Sequence, residues 1–579
     1  MQLTFFDDPL AIESIEANGV KKNDGINVVI GNPPYAGESA NKGEWILSLL
    51  ETYKKEPGGI ERLNERNPKW LNDDYVKFIR LAQHFIERTS AGIMAFICPH
   101  GFIDNPTFRG MRWNLARAYD DIYILDLHGN AKKRETTPDG KKDENVFDIQ
   151  QGVCILFLIK KPNKKSAIAN IYHADLFGLR DYKYQQLNFA ALDRIKWATV
   201  TSTAPFYLFK PTNQVQASTE RYNVSELFIE STMGFQTHRD DFAIAFEKES
   251  ISQRIDDMLS DSISDDLLCA KYNLSPQYNV HKARKILKGM QHDEVESKKT
   301  ICQYRLFDNR WCFLDETLMD RPRSKVFAHV ANKDNLVFGV GRQGLAVGNI
   351  EWCLATVSHY AVDANIFRRG GVTVAPLYLY TADYTQSRRP NLNMEIIHKI
   401  EATTGLTFVC EKSDDKTVFS PVDIIDYTYA VLYSHKFRIT YDDELKIDYP
   451  KVPYPANAKY FWMLVTLGEE LRNLHTMDVI LSAEAISYKG EPTPTIEKIS
   501  FKDGCIYIGK AKYFTTNDNS GLEKAWNYTI GGTQPLQKWL KDRKNTTLTI
   551  SDIEHYKAII AAVTRTIDLM DEIDAIIEL

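Results

Sequence analysis

The sequence predicts an α/β fold: a largely parallel sheet with helical crossovers, followed by an α+β region that ends in helices. Three observations carry this. Apolar runs of strand length alternate with segments of helical periodicity from residue 26 to about residue 125, the pattern of parallel strands joined by helices. From about Pro205 the texture changes to short strands, aromatics and basic turns, and near the end apolar stripes at helical spacing return.

In chain order, Ile26-Asn27-Val28-Val29-Ile30 is a β-branched apolar run bounded by Gly31, which suits a strand buried on both faces. Residues 41–56 read as helix and 64–72 as a polar loop. Val76, Phe78, Ile79, Leu81, Phe85 and Ile86 recur at helical spacing over 73–88, with Asn72 or Asp73 as N-cap. Residues 92–98 form the next buried strand. Asn105-Pro106 is a cap followed by proline at the first helical position, and its helix leads to Tyr119. Strands follow at 121–127, 152–159 and 168–172, with a charged turn-rich loop at 129–143. The later strands lack helices between them and suit an antiparallel edge.

Beyond residue 205, strands are expected at 206–209, 305–314 and 372–380, and 249–266 reads as a surface helix. Ala458 to Met477 carries an apolar stripe. Ser551-Asp552-Ile553-Glu554 reads as a capping box opening the last helix.

With 579 residues, 44% hydrophobic and 26% charged, the chain has the composition of a soluble globular protein. Length allows about three or four domains. No signal peptide is read at Met1 to Leu10, and no stretch approaches the roughly 18 apolar residues of a membrane span. Eight scattered cysteines without a Cys-x-x-Cys pair favour free thiols in a reducing cytoplasm over disulfides or zinc, and no metal site is read. A net charge of −6 does not advertise nucleic acid, but basic residues cluster at 132–134, 141–142, 282–288, 321–325, 368–369 and 388–389. Phosphate contact needs such local patches, whatever the total.

The stretch richest in chemistry is Asn32-Pro33-Pro34-Tyr35, at the carboxyl end of the first strand, where open α/β sheets bind ligands. It suits methylation of a planar conjugated amine such as N6 of adenine, whose delocalised lone pair is a poor nucleophile. The Asn32 side-chain oxygen and the Pro33 carbonyl can accept both N–H protons and shelter the charge that develops. Two prolines fix φ and remove competing donors. Tyr35 offers a flat face for an extruded base.

Several long segments then fall in one order. Gly31 to Asn41 is followed by Asn67-Pro68-Lys69-Trp70-Leu71-Asn72-Asp73-Asp74-Tyr75-Val76-Lys77-Phe78, by Asp104 to Arg112, by Ile124 to Asn130 and by Asp143 to Gly152. Towards the end stand Ile447-Asp448-Tyr449-Pro450-Lys451-Val452-Pro453, Trp526 to Gly532 and Gln534 to Leu540. This succession resembles the methyltransferase and specificity regions of Type ISP restriction–modification enzymes, across nearly the whole chain. The resemblance implies an adenine-N6 DNA methyltransferase with Asn32, Pro33, Pro34 and Tyr35 as its catalytic loop. It places Phe147 where related enzymes put an aromatic against the flipped base, with a core-anchor role as the alternative. It divides the chain into the C-terminal part of a methyltransferase domain (1–205), a target-recognition domain (206–455) and helices of the specificity region (456–579). Arg321, Arg323, Arg342, Arg368 and Arg369 are the candidate DNA contacts.

The same resemblance implies S-adenosylmethionine as cofactor and double-stranded DNA as partner, with no membrane and a cytoplasmic location. The Rossmann-like sheet is expected to be partial, because the cofactor-binding strands of such enzymes precede the catalytic loop and only 25 residues precede Ile26. A separate chain supplying the missing cofactor-binding, helicase and nuclease parts follows as an expectation. Phe338-Gly339-Val340-Gly341-Arg342-Gln343-Gly344, with Asp363 beyond it, contains Gly-x-Gly-x-x-Gly and offers a circularly permuted alternative, but Gly348-Asn349 interrupts the helix it should open. His100 and His128 follow strands and point toward the cleft, although methyl transfer needs no strong base. The alternatives are a non-catalytic DNA-recognition chain and a protein glutamine-N5 methyltransferase.

Overall fold

A computed structural model describes residues 9–23, 25–37, 39–65, 68–133, 135–163, 167–211, 220–342, 351–367, 371–381, 387–482, 484–516 and 519–579. The chain forms two compact units, Met1–Gln214 and Val215–Leu579. The domain limits drawn from the resemblance stand apart from this geometric division.

The first unit contains α1 (Pro9–Asn23), β1 (Val28–Gly31), α2 (Glu44–Leu50), α3 (Asp74–Glu87), β2 (Gly92–Pro99), α4 (Arg109–Ala118), β3 (Asp121–Asp126), β4 (Val153–Lys160), β5 (Asn170–Asp175), α5 (Arg180–Phe189) and β6 (Ala198–Val200). Its six strands lie in the order β1-β2-β4-β3-β5-β6. β1 runs parallel to β2 and β3 parallel to β5. β4 is antiparallel to both its neighbours, β2 and β3. The antiparallel element expected at the edge is thus in the middle, inserted where a helix-free connection brings the chain back between two parallel strands. β6 adds an antiparallel edge.

The buried face of α3 (Tyr75, Val76, Ile79, Ala82, Ile86) shares a core with Met94, Phe96, Leu115, Ile122, Leu156 and Leu158. Phe78, counted in its apolar stripe, instead faces solvent at 42% exposure. The helix expected at 41–56 is confined to α2, and turns follow it. Asn105 accepts a hydrogen bond from the Thr107 amide, as its cap reading requires; a 3-10 turn at Pro106–Phe108 then leads into α4.

β1 departs most from expectation. Among the described residues it has a neighbour on one side only, and Val28 and Ile30 are 56% and 76% exposed. A run of β-branched residues here marks an open sheet edge rather than a strand buried on both faces.

The second unit holds several small sheets around a core reaching from Tyr222 to Ile577. One is ordered Ala355–Ser358, Val337–Val340, Thr373–Pro376, Thr232–Met233, with every pairing antiparallel. Another holds the hairpin Lys299–Arg305 and Asp308–Phe313. The helices Pro421–Tyr433, Ala458–Thr476 and Ile550–Ile576 contribute Ile424, Leu464, Ile560 and Val563 to the core. The last helix is capped by Thr549, not Ser551: Thr549 and Asp552 close the box, because Asp reaches back three residues as Glu554 was expected to do. The expected helix over 249–266 divides into Lys248–Leu259, whose Ile251, Ile255 and Met258 are buried, and Asp265–Tyr272. Residues 206–209 are not a strand; Tyr207 turns the backbone with φ 48°.

Candidate active site

β1 delivers the Asn-Pro-Pro-Tyr corner to the carboxyl end of the sheet. Asn32 and Pro34 are exposed, Pro33 is buried and Tyr35 half-buried. The Tyr35 hydroxyl lies 2.7 Å from Asn32 Oδ1 and 3.0 Å from the Ile97 carbonyl oxygen of β2, and can donate to either. Burial, with Cys98 and Cys154 nearby, pushes its pKa well up, so the phenol stays a neutral donor. Donated to Asn32, this proton holds the amide while leaving its oxygen a free lone pair. The Pro33 carbonyl accepts no hydrogen bond among the described residues. The corner therefore presents two acceptors from a braced frame.

Behind the corner, Lys77 of α3 holds the Ser39 hydroxyl and the Asn41 carbonyl. Asp73, 3% exposed, leaves Oδ1 without a hydrogen-bond partner, and burial pushes its carboxyl up to about 6.

The structure brings Phe147 to the same place. Tyr35 and Phe147 both pack, half-buried, on the cluster Leu125, Leu127, Val146 and Val153. The Phe147 amide donates to Asn145 Oδ1 at 2.8 Å, and its carbonyl accepts from Arg180 Nη2 at 3.0 Å. The loop that carries it is anchored by a pair that sequence reasoning missed. Lys183 and Asp143, with fully buried side chains, lie 2.8 Å apart; Asp143 also accepts from the amides of Gly129 and Gly178, and Lys183 donates to the carbonyls of Leu127 and Glu144. These partners are 14 to 56 residues apart in sequence, beyond any local signal.

His100 and His128 sit at the same rim. His100 Nδ1 is 2.9 Å from Asp126 Oδ1, and its Nε2 is 3.1 Å from Asn130 Nδ2. His128 stacks on Phe177 at 3.8 Å and reaches Asp175 Oδ1 at 2.8 Å. Burial alone would lower His128, but Asp126, Asp175 and Glu135 outweigh it and raise the ring to about 10. Both histidines are held by carboxylates.

The described part of the glycine run at 338–344 does not form a cradle for S-adenosylmethionine. Val337–Val340 is an interior antiparallel strand. A Cβ on Gly339 would meet Thr356 Cγ2 at 2.7 Å and one on Gly341 would meet Leu354 Cβ at 2.9 Å, so these glycines pack against protein rather than open a cradle. Asp363 is 2% exposed and pairs with Arg305 at 3.3 Å. Gly344, Gly348 and Asn349 lie outside the described residues.

Among the candidate DNA contacts, Arg342 is exposed. The Arg321 side chain is 56% exposed, with Nε 3.3 Å from Asp320. Arg323, in a left-handed conformation (φ 58°), has a buried Nε without a partner. Arg368 and Arg369 lie outside the described residues, as does Arg134. Arg388 is taken up by Asp334 and Glu411. Of the cysteines, Cys98, Cys154, Cys302, Cys312 and Cys353 are buried free thiols, whereas Cys410 is exposed. No helix among the described residues is long and apolar enough to cross a membrane.

Two family models divide the chain into a restriction–modification methylase region followed by a specificity domain. Residues 4–132 match the family described as Eco57I restriction-modification methylase. Residues 196–572 match the Type ISP C-terminal specificity domain, and the chain belongs to that family. Its fold is similar to the ATP-dependent Type ISP restriction-modification enzyme LlaBIII bound to DNA (TM-score 0.70, 20% identity, 99% of this chain and 39% of that one). It is also similar to a nuclease-deletion mutant of the Type ISP enzyme LlaGI in complex with a DNA substrate mimic (0.67, 18%, 97% and 54%), and to DrdV in a DNA complex (0.68, 18%, 97% and 58%). The chain thus spans between 39% and 58% of the length of these structures. No curated protein matches it.

Proposed function

We propose that this chain is the catalytic and specificity portion of a site-specific DNA adenine-N6 methyltransferase of a restriction–modification system. The observation that supports this most is the Tyr35 hydroxyl bracing Asn32 Oδ1 beside the unengaged Pro33 carbonyl. An adenine flipped from duplex DNA stacks on Tyr35, with Phe147 at its edge. Asn32 and Pro33 accept the two N6 protons, favouring a pyramidal amine that can take a methyl group. S-adenosylmethionine is the methyl donor, held by structure beyond the described residues. The open β1 edge suits that addition, whether from further sequence or from a separate chain that also brings helicase and nuclease parts. Target recognition falls to 206–455, with Arg321, Arg323, Arg342, Arg368 and Arg369 as candidate DNA contacts, and 456–579, expected as helices but also holding a four-stranded antiparallel sheet, braces it.

The test supplies the chain with a cofactor-binding half and follows methyl transfer to plasmid DNA. Asn32→Ala should lower transfer by about 10²-fold or more while DNA affinity stays within about twofold. A variant that turns over normally removes the assigned chemistry. The open edge also favours a second reading, a DNA-recognition chain with an inert corner. No cofactor binding by calorimetry, followed by no methylation after the missing half is added, would establish it. A glutamine-N5 protein methyltransferase is disfavoured by the 196–572 specificity match, and release-factor protein should not accept methyl groups.

A further inference from the structure

We propose that the carboxyl ends of β3 and β5 form a site for one divalent first-row cation, of the manganese or zinc type, held by Asp126, His173 and Asp175. This does not rest on the methyltransferase reading. The ligand atoms of the three residues lie within 4.8 Å of one another. They converge because Asp126 pairs with Asp175 across the parallel β3–β5 ladder, and His173, two residues before Asp175, points to the same face.

The tautomer of His173 makes this more than a cluster of acids. His173 Nδ1 lies 2.9 Å from the Phe209 carbonyl oxygen, which only accepts, so Nδ1 carries the hydrogen. Its other nitrogen, Nε2, lies 3.1 Å from Asp175 Oδ1. The side chain is 4% exposed, so no bulk water relieves the contact. Nε2 and the carboxylate can be held together by a proton on the ring or by a cation shared by both. A ligating histidine that gives its other N–H to a backbone carbonyl is the usual outer-shell arrangement of metal sites.

The surroundings are rich in carboxylates and also hold His100 and His128, whose protons an ion would have to displace. Asp175 Oδ1 also accepts from His128 Nε2 at 2.8 Å, while Asp126 Oδ2 and Glu135 Oε2 stand 3.8 and 4.0 Å from His128 Nδ1. His100 Nε2 is 4.0 Å from Glu135 Oε1. The Asp175 side chain is 44% exposed, which opens a way in, whereas Asp126 is 10% exposed. One imidazole and two carboxylates match manganese, iron or zinc better than magnesium or copper(I). Two bonds of about 2.0–2.2 Å span at most about 4.4 Å, so the side chains need to draw in by only about half an ångström. The ion would tie β3 to β5 beside the loop that carries Phe147.

The experiment uses the full chain, untagged, stripped with chelator and dialysed. Mn²⁺ is titrated while the free-ion electron paramagnetic resonance signal is read, and Zn²⁺ content is measured after equilibrium dialysis. One equivalent should bind, with a raised thermal midpoint, and Asp175→Asn and His173→Gln should each weaken binding at least tenfold. Absence of a stoichiometric site for both ions overturns the proposal, as does unchanged binding by Asp175→Asn. That half-exposed position decides the matter if the buried His173 variant fails to fold, with circular dichroism of the metal-free variants confirming structure.

Discussion

The strands Val28–Gly31 and Val337–Val340 look alike as text: short, β-branched, and followed by a glycine- or proline-rich turn with a family of ligand-binding loops behind it. Among the described residues the first has one neighbour, in parallel, and shows Ile30 at 76% exposure. The second is flanked on both sides by antiparallel strands and is buried along its length. The first opens its turn beyond the carboxyl ends of the parallel pair β1–β2 in a mixed sheet. The second sends its glycines into the core. A turn carries chemistry when the sheet places it at an unfilled rim, and the residue pattern alone does not say which rim is unfilled.

The largest effect that sharpens this contrast is on stability. Gly339→Val adds a side chain where even a Cβ meets Thr356 at 2.7 Å and Val372 at 3.0 Å. Overpacking of this kind costs about 1–3 kcal/mol, and urea unfolding of the second unit should show it with DNA and cofactor absent. If Gly339→Val folded with unchanged stability but altered S-adenosylmethionine binding, the glycine run would be a ligand loop after all.

How much of this was legible follows the range of each interaction. The helix and strand runs of α3, β2, β3 and Ala458–Thr476 were readable because their signals are periodic and local, and Asn105-Pro106 declared its cap. The corner at Asn32 to Tyr35 was readable because four adjacent residues carry it. The insertion of β4 between β2 and β3 was not, since strand order is decided by long-range pairing. Nor were the Asp143–Lys183 anchor and the His173–Asp175 contact with Asp126, which depend on strand register. Val28 and Ile30 misled for the opposite reason: a β-branched run reports that a strand is apolar, not that a neighbour in this chain covers it.

A smaller effect concerns the wall behind the corner. Asp73 is raised from 3.8 to about 6 by burial, so the folded state holds its proton more tightly than the unfolded chain does. Its contribution to stability is fully present below about pH 4 and is lost as pH rises through about 6. Asp73→Asn should therefore be near neutral at pH 4 and gain about 1–2 kcal/mol at pH 8, once solvent screening is allowed for. Thermal unfolding at the two pH values checks it. Equal effects at both would mean that the carboxylate is ionised throughout, and that it braces the corner as a charge.

The smallest effect on the chain by itself should come from Ile30→Lys. A β-branched residue two positions before the Asn-Pro-Pro-Tyr corner would ordinarily be core, and replacing it with lysine would cost several kcal/mol. At 76% exposure on a one-sided strand it should cost less than about 0.5 kcal/mol, the range of surface substitutions. The same lysine is a device by which exposed edges refuse a further strand, so it should block gain of activity when the cofactor-binding half is added. Unchanged unfolding with lost complementation would separate β1 from the closed strand Val337–Val340. A large loss of stability would instead mean that the chain already covers this edge, and the two strands would be alike.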